Sequence, residues 1–377
     1  MDRSPCSPSP PISPSCSSPG CSHGSRRMDS EPGGVRLFTS SGGARIARLP
    51  LRAFPGLLSY AYVVYKDAYR ILIDTGSGFG ECNRDLEEGL REAASLLGGV
   101  PLPEGLTHIL ITHGHIDHFG GLPHLRERTA APVGIHELDR RVLTNYEERL
   151  AWVAHHLNGF LIEAGVREER REQLMEMYLF VKQLYRSQGV DFTFGAAGMR
   201  LGPFEMLHVP GHAPGHVIIR VDDVAFGGDH ILDDISPHQA PEQLTFYTGL
   251  GHYLHSLGEA EQWLGGTRLL LGGHREPIED IPARIASIRA LHRSRLQTVL
   301  DLLEEPHTIA EISKALFGAV KGYHILLALE ETGAHVEYLY QRGYLCIANL
   351  STLSKDFSPQ PLRYRRQTPA IPLPETI

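Results

Sequence analysis

The sequence predicts a layered α/β fold, in which helices pack against β-sheets. The chain has 377 residues, of which 42% are hydrophobic and 21% are charged; this is enough apolar material for a large core and close to the average for soluble proteins. Short apolar runs alternate with segments of helical spacing, which is typical of layered packing. A wholly disordered chain, a collagen-like repeat and a disulfide miniprotein are therefore excluded.

The predicted elements follow one another through the central part of the chain. Strands are expected at Tyr60–Tyr65 and Tyr69–Ile73 as a hairpin, and then at Leu106–Thr112, Val133–Ile135, Phe204–Val209, Val217–Val221, Val224–Phe226 and Arg268–Leu271. Helices are expected at Asp85–Leu97 and Tyr253–Leu264. Residues 137–190, including Arg167–Gln188, are rich in helix formers and poor in strand signals. They predict a helical insertion, which either caps a site or forms ordinary surface helices.

The two ends of the chain differ from this pattern. Residues 1–34 are rich in Ser, Pro and Gly and are expected to be disordered, and residues 350–377 are expected to form a second loose tail. Whether translation starts at Met1 or Met28 stays open. Three of the five cysteines lie in the first 27 residues. The two that remain in the folded part cannot form a framework of disulfide bridges, which favours a reducing cytoplasm. We expect no signal peptide and no membrane span, because no run of about 18 apolar residues occurs.

A small C-terminal domain is predicted at 289–349. Helices at Arg293–Glu304, Ile309–Phe317 and Tyr323–Gln341, followed by a strand at Tyr344–Ile347, give the outline of a winged-helix module. The whole chain has a net charge of −8, and the stretch 292–349 contains five basic and seven acidic residues. Proteins that bind the phosphate backbone of a nucleic acid need clustered Lys and Arg, so nucleic acid is the less favoured partner.

The motif Thr112–Gly121, with the sequence THGHIDHFGG, has the strongest chemical signal. It places His113, His115, Asp117 and His118 in a turning loop directly after a predicted strand. Buried imidazoles and carboxylates need partners, so this density of ligands indicates a metal site. His113 and His115 could reach one ion while Asp117 and His118 reach a second. Zinc suits these ligands best, and iron and manganese are also compatible.

Three further pieces lie at the ends of downstream strands. His212 belongs to a Pro-Gly-His-Ala-Pro-Gly-His run, Asp229 follows two glycines, and His274 follows two more. Each is a weak signal alone, since a Gly-Asp pair is usually a turn. Together with the first motif they complete two coordination shells.

This set of residues resembles the signature of the metallo-β-lactamase superfamily, HxHxDH followed by His, Asp and His. The resemblance covers residues 35–288 and implies an αββα sandwich with two divalent ions at one edge. It implies one site from His113, His115 and His212, and another from Asp117, His118 and His274, with Asp229 bridging. It also assigns Asp74 to hold a ligand histidine. His216 and His230 stay open, either as supporting residues or as satisfied histidines at strand ends.

The C-terminal part resembles one hydrolase branch of this superfamily, which carries a β-lactamase-associated winged-helix domain and includes lactamase-beta-like 2 and hydroxyacylglutathione hydrolase-like proteins. The segments Tyr253–Leu257, Gly273–Ile278 and His292-Arg293 carry this resemblance. At Gly272–Arg275 the sequence reads GGHR where that branch usually has PGHG. The ligand His274 is retained, but the loop shape is open.

The resemblance implies a metal-dependent hydrolase that uses a metal-bridging hydroxide, with Asp117 and Asp229 as the candidate catalytic residues. A small ester, thioester or lactone is the favoured substrate. An endoribonuclease or phosphodiesterase, a metal-dependent oxidoreductase and a non-enzymatic metal-binding scaffold are the alternatives. A homodimer formed through the winged-helix module is also open. Aromatic residues of the insertion are expected to line a pocket near the metals; they are Tyr146, Trp152, Phe160, Tyr178, Phe180 and Tyr185.

Overall fold

Two β-sheets pack face to face in the computed structural model, which describes residues 33–353, 358–369 and 372–374. The first sheet has seven strands in chain order: β1 (Arg36–Thr39), β2 (Arg45–Phe54), β3 (Leu57–Lys66), β4 (Tyr69–Ile73), β5 (His108–Leu110), β6 (Val133–Ile135) and β7 (Phe192–Thr193). Strands β1 to β4 pair antiparallel, and β4 to β7 pair parallel. The predicted hairpin of β3 and β4 is confirmed.

The second sheet has five strands in the order β12-β11-β10-β9-β8. They are β8 (Arg200–Leu201), β9 (Phe204–His208), β10 (Val217–Val221), β11 (Val224–Gly228) and β12 (Leu269–Gly272). The β11–β12 pair is parallel and the other pairs are antiparallel. The predicted α/β class is confirmed.

Alternation along the strands builds the layers. Ile46 and Tyr62 face the core between the sheets, whereas their neighbours Ala47 and Val63 face the opposite side. There α1 (Cys82–Leu97) covers the first sheet with residues such as Leu86. Helices α7 (Leu250–Trp263) and α8 (Ile281–Leu302) cover the second sheet. The order of layers is therefore helix, sheet, sheet, helix.

The segment 137–190 forms three helices, α4 (Glu137–Thr144), α5 (Tyr146–Glu163) and α6 (Glu168–Lys182). Two shorter helices precede it, α2 (Ile116–Phe119) and α3 (Leu122–Arg126). The insertion shares a hydrophobic core with the C-terminal helices, since Phe160 and Leu161 of α5 pack in the same buried cluster as Leu326 and Leu339.

The C-terminal part contains α9 (Ile309–Phe317), α10 (His324–Gln341), β13 (Leu345–Ile347) and a 3-10 turn at Leu350–Thr352. A capping box between Thr308 and Glu311 starts α9. Helix α8 begins at Ile281 rather than at the expected Arg293, because Asp280 caps its first turn with a hydrogen bond from Ala283 N.

The C-terminal tail departs from the sequence expectation. Within the segment expected to be loose, β14 (Tyr364–Arg366) pairs antiparallel with β13. Local composition hid this strand, because its partner lies outside the proline-rich segment. The expected disorder of residues 1–34 falls almost entirely outside the described residues. In the part of the chain that the structure describes, no helix combines the length and apolar character needed to cross a bilayer.

Candidate metal centre

The candidate ligands follow strands that end at one edge of the sandwich. In the first sheet β4 leads to Asp74 and β5 to His113, and in the second sheet β11 leads to Asp229 and β12 to His274. Each pair of strands is parallel, so the carboxyl ends of its members meet at the same edge. A hydrogen bond of 2.9 Å from Val217 N to Thr112 O joins the two sheets beside the first loop.

Three imidazoles form the first group of donors. The ligand atoms of His113, His115 and His212 lie within 4.8 Å of one another, and His113 Nε2 is 3.1 Å from His115 Nδ1. His113 and His212 are buried, and His115 is half-buried. These are the residues that the resemblance assigned to one ion.

Two carboxylates and two imidazoles form the second group, made up of Asp117, His118, Asp229 and His274. His274 Nε2 lies 3.2 Å from Asp117 Oδ2 and 3.3 Å from Asp229 Oδ2. Asp229 Oδ2 is also 3.6 Å from His212 Nε2. The Asp229 carboxylate therefore lies between the two groups, and the structure brings together all seven residues that the sequence analysis singled out.

This arrangement fits divalent cations. Ligand atoms bound tetrahedrally to one zinc ion are separated by about 3.3 Å, and the separations given above scatter around that value. His118 Nε2, His212 Nε2 and Asp229 Oδ1 are buried and have no hydrogen-bond partner among the described residues. Buried polar atoms without partners are costly, so their presence around one point indicates a site that can hold a cation.

The other ring nitrogen of each of three ligand histidines is held by an oxygen atom. His118 Nδ1 donates to Asp74 Oδ2 at 2.9 Å, His212 Nδ1 to the carbonyl of His238 at 2.8 Å, and His274 Nδ1 to the carbonyl of Leu58 at 2.6 Å. These bonds fix the tautomer and aim the Nε2 lone pair inward. The role expected for Asp74 is thus visible in the structure.

The two groups differ in electrostatics. Burial lowers the pKa of His113, His115 and His212, which keeps these imidazoles neutral with free lone pairs. In the second group burial also opposes the charged histidine, but Asp229 and Asp117 outweigh it and raise the pKa of His274 to about 10. The pKa of His118 is raised for the same reason.

The sequence left the roles of His216 and His230 open. In the structure His216 contacts two candidate ligands, and His230 packs against His216. His216 Nε2 accepts a hydrogen bond of 2.9 Å from the backbone N–H of Asp229, and its ring stacks on His113 with centroids 4.5 Å apart. His230 is buried between the rings of His216 and Tyr253, and burial lowers its pKa to about 3. Neither belongs to a donor group.

Sequence analysis missed Asp139, which ties the two metal loops together. This fully buried carboxylate in the first turn of α4 accepts hydrogen bonds from Gly114 N at 2.8 Å and from Gly215 N at 2.9 Å. Gly114 lies between two ligands of the first loop, and Gly215 follows His212 closely. The only local signal is an acidic residue in a helix N-terminus after a strand, and that is too common to be informative.

The aromatic residues of the insertion have divided roles. Tyr146, Phe160 and Tyr178 are buried in the hydrophobic cores, whereas Phe180 is 75% exposed. Trp152 packs on Phe246 at the surface. The Tyr185 hydroxyl donates 2.8 Å to the carbonyl of Ser77, in a loop that touches the backbone of the metal-binding motif at Gly120. Tyr185 is thus the member of this set that the contacts bring to the neighbourhood of the site.

Comparisons with known proteins agree with this fold. A family model described as the metallo-beta-lactamase superfamily matches residues 55–302. The chain belongs to this superfamily.

Among curated proteins, the chain is 27% identical over 294 residues to the probable metallo-hydrolase YqjP of Bacillus subtilis, a match that covers 74% of this chain and 86% of the relative. It is 25% identical over 254 residues to an atrochrysone carboxyl ACP thioesterase of Claviceps purpurea, covering 65% and 61%. Among solved structures, a metallo-beta-lactamase family protein from Thermus thermophilus is similar with a TM-score of 0.66 and 26% identity, covering 85% of this chain and 98% of that one.

Proposed function

We propose that this protein is a dinuclear metal-dependent hydrolase that cleaves a small ester, thioester or lactone. The observation that carries the proposal is the position of Asp229, whose Oδ2 atom lies 3.6 Å from His212 Nε2 and 3.3 Å from His274 Nε2. A carboxylate in that position can be shared by two ions. His113, His115 and His212 would hold one ion, and Asp117, His118 and His274 the other. Zinc suits this donor set, and iron and manganese are compatible with it.

Two divalent ions bound there would supply Lewis acidity, which activates a water molecule and polarises the substrate carbonyl. The side chains of the protein supply the negative charge around the ions and orient the attacking water. The Asp117 side chain is 16% exposed, more than that of Asp229 at 10%, so it is the more open carboxylate of the centre. It can accept a hydrogen bond from the attacking water and orient that water toward the substrate. Asp229 remains fixed by the bond from its backbone N–H to His216.

A small acyl substrate is favoured over RNA for two reasons. The relative from Claviceps purpurea is named a thioesterase, and a thioester presents the carbonyl that such a centre attacks. In addition, the carboxylates of α10 are occupied by contacts with the hydrolase part. Glu330 bonds to His238, and Glu337 bonds to the backbone N–H of Glu242. This helix would repel phosphates rather than attract them.

We further propose that α8 to α10 with the β13–β14 pair form a winged-helix module. The order of three helices followed by a two-stranded sheet supports this assignment. The module packs into the same buried cluster as α5 and α7, so it acts as part of the scaffold of the hydrolase.

The test combines metal analysis with a substrate panel. The purified chain is saturated with zinc, iron or manganese, and bound metal is counted by elemental analysis. It is then assayed with a thioester, a lactone, a phosphodiester and a β-lactam. We expect two ions per chain and preferential hydrolysis of the thioester or lactone. At most one ion per chain would contradict the dinuclear proposal, and preference for the phosphodiester would replace the acyl substrate with a nucleic acid.

A further inference from the structure

The ring orientation of the candidate ligand His212 depends on a hydrogen bond to the main chain outside the metal centre. His212 Nδ1 donates to the main-chain carbonyl of His238 at 2.8 Å, and this bond leaves His212 Nε2 free to face Asp229. The carbonyl belongs to the stretch between β11 and α7, which has no regular hydrogen-bonded ladder of its own around residue 238. The position of that carbonyl, and with it the ring of His212, must be fixed by something outside the stretch.

Three carboxylates of helix α10 bond to this stretch, and one of them bonds to the peptide that carries the carbonyl. Glu331 Oε2 accepts the N–H of Gln239 at 2.8 Å, directly after the carbonyl in question. Glu330 Oε2 accepts from His238 Nε2 at 2.9 Å. Two turns further along, Glu337 Oε2 accepts the N–H of Glu242 at 2.8 Å. In the peptide that joins His238 to Gln239, the carbonyl thus accepts a hydrogen bond from His212, and the N–H donates one to Glu331.

Glu331 is itself held rigidly. Its side chain is only 8% exposed, and its Oε1 accepts from Arg295 Nη1 of α8 at 2.8 Å. His335 donates from Nδ1 to the carbonyl of Glu331 at 2.7 Å, and His292 lies 3.1 Å from the other nitrogen of that ring.

His292, Glu331 and His335 are close enough to surround a cation. However, the two oxygens of Glu331 are already used by a backbone N–H and a guanidinium group. This cluster is therefore a hydrogen-bonded anchor, because a third ion there would have to break both bonds and lie beside Arg295.

We propose that Glu331 is a positioning residue for the metal ligand His212, and that the C-terminal helices thereby set the metal affinity of the first donor group. The inference rests on the metal centre of the proposed function but not on its substrate. Removing the Glu331 carboxylate leaves every candidate ligand in place; it releases the Arg295 guanidinium group and the peptide whose carbonyl orients His212. Loss of such outer contacts typically weakens metal binding about 10- to 100-fold.

The test compares Glu331→Ala with Glu337→Ala in the full-length protein. Both changes remove one carboxylate of α10 that accepts a backbone N–H of the same stretch, but Glu337 bonds beyond the peptide that holds His212. Zn²⁺ affinity is measured by competition with a chromophoric chelator, and Co²⁺ absorption reports the geometry of the bound ion. We expect Glu331→Ala to weaken binding of the ion at the three histidines by about tenfold or more and to change the Co²⁺ bands, while Glu337→Ala leaves both unchanged.

A second pair of variants keeps the test decisive if Glu331→Ala does not fold. Glu330→Ala removes the bond to the His238 side chain, whereas Glu330→Gln retains an acceptor for it. We expect Glu330→Ala to weaken Zn²⁺ binding and Glu330→Gln to restore it. Wild-type affinity in folded Glu331→Ala, or equal losses in the Glu331 and Glu337 variants, would overturn the proposal. Since no substrate is used, failure of the proposed hydrolase activity would be seen separately.

Discussion

Gly273 shows how closely the two sheets approach at the metal centre. A Cβ atom at this position would lie 2.5 Å from Asp229 Oδ1 and 2.6 Å from His118 Cε1. Carbon atoms normally keep about 3.5 Å or more from non-bonded neighbours, so Gly273→Ala must displace one of two ligands. We expect the affinity of the second donor group for Zn²⁺ to fall about tenfold or more, measured by chelator competition.

Gly159→Ala is the matched control for this change. Its Cβ would meet no atom within 4 Å on helix α5, so metal binding should be unaffected. Alanine in a helix should also raise the free energy of unfolding by about 0.5–1 kcal/mol. Wild-type affinity for both ions in Gly273→Ala would contradict the position assigned to Asp229 and His118.

Asp117 is the residue on which the proposed chemistry depends most directly. It is a ligand-type side chain at the open part of the centre, 3.2 Å from His274 Nε2. Asp117→Ala should abolish hydrolysis and lower the metal content while leaving the far-ultraviolet circular dichroism unchanged, because the residue is not part of the hydrophobic core. Asp234→Ala is the control, since this acidic side chain is 61% exposed and pairs with Arg275. Near-wild-type turnover in Asp117→Ala would refute the assignment.

At the scale of elements, α4 connects the loops that carry the first donor group. Asp139 accepts one N–H from each loop, at 2.8 and 2.9 Å. In Asp139→Asn the amide nitrogen cannot accept, so one buried N–H loses its partner at a cost of about 1–3 kcal/mol. We expect lower stability in denaturant titrations together with weaker binding of Zn²⁺.

Asp191→Ala separates these two effects. Asp191 also accepts a backbone N–H, from Val133 at 2.7 Å, but it does so at strand β6 and not at a metal loop. This variant should lose stability without losing affinity for zinc. If Asp139→Asn retains the full affinity of the wild type, α4 does not position the loops.

Helix α10 is the element that a winged-helix module would use to read DNA, and its charges argue against that role. Its three glutamates bond to the stretch 238–243 or to Arg295, as described above. No Lys or Arg lies between His324 and Gln341. We expect weak binding to random duplex DNA even at low salt, measured by fluorescence anisotropy. Submicromolar, strongly salt-dependent binding would favour a nuclease over an acyl hydrolase.

For the molecule as a whole, the grouping of the candidate ligands could be predicted from sequence, whereas the contacts that support them could not. His113, His115, Asp117 and His118 lie in one short loop, and His212, Asp229 and His274 stand beside glycines at strand ends, so local pattern is sufficient. The supporting carbonyl of His238 has no side-chain signal, and Glu331 is distant in sequence from the ligand it supports. Candidate ligands can be recognised within short segments of sequence, whereas the contacts that hold them join residues that are distant in sequence.

The same distinction explains which strands were missed. Strand β2 contains Arg45, Arg48 and Arg52, which obscure the alternation of a buried strand. Arg48 is nonetheless buried, because its guanidinium group lies 4.1 Å from the ring centroid of Tyr60.

The loop at Gly272–Arg275 reads GGHR where the related branch usually has PGHG. Here Arg275 has a φ of 67°, a left-handed conformation that glycine adopts more easily. The loop shape left open by the sequence is therefore one that favours glycine.

The whole fold should lose stability in acid because it buries neutral histidines. Burial and the adjacent ring of His208 lower the pKa of His136 to about 4, and burial and His335 lower that of His292 to about 3. The unfolded chain binds these protons near pH 6.5, so the unfolded state holds more protons between about pH 6.5 and 4. The free energy of unfolding is then full above about pH 6.5 and falls as the pH decreases toward 4. His118 and His274, whose pKa values are raised, contribute stability that is lost only as the pH rises.

His136→Asn tests this argument, because asparagine can still accept the N–H of Leu138 as the helix cap but does not titrate. Urea unfolding of the metal-free protein is measured at several pH values from about 7 to 4, which avoids any contribution from metal release. The variant should be less stable near pH 7 because the ring no longer stacks on His208. Its stability should nevertheless fall less steeply with decreasing pH, by up to about 1.4 kcal/mol per pH unit, the value for one proton. Equal slopes for wild type and variant would show that His136 takes up its proton without unfolding.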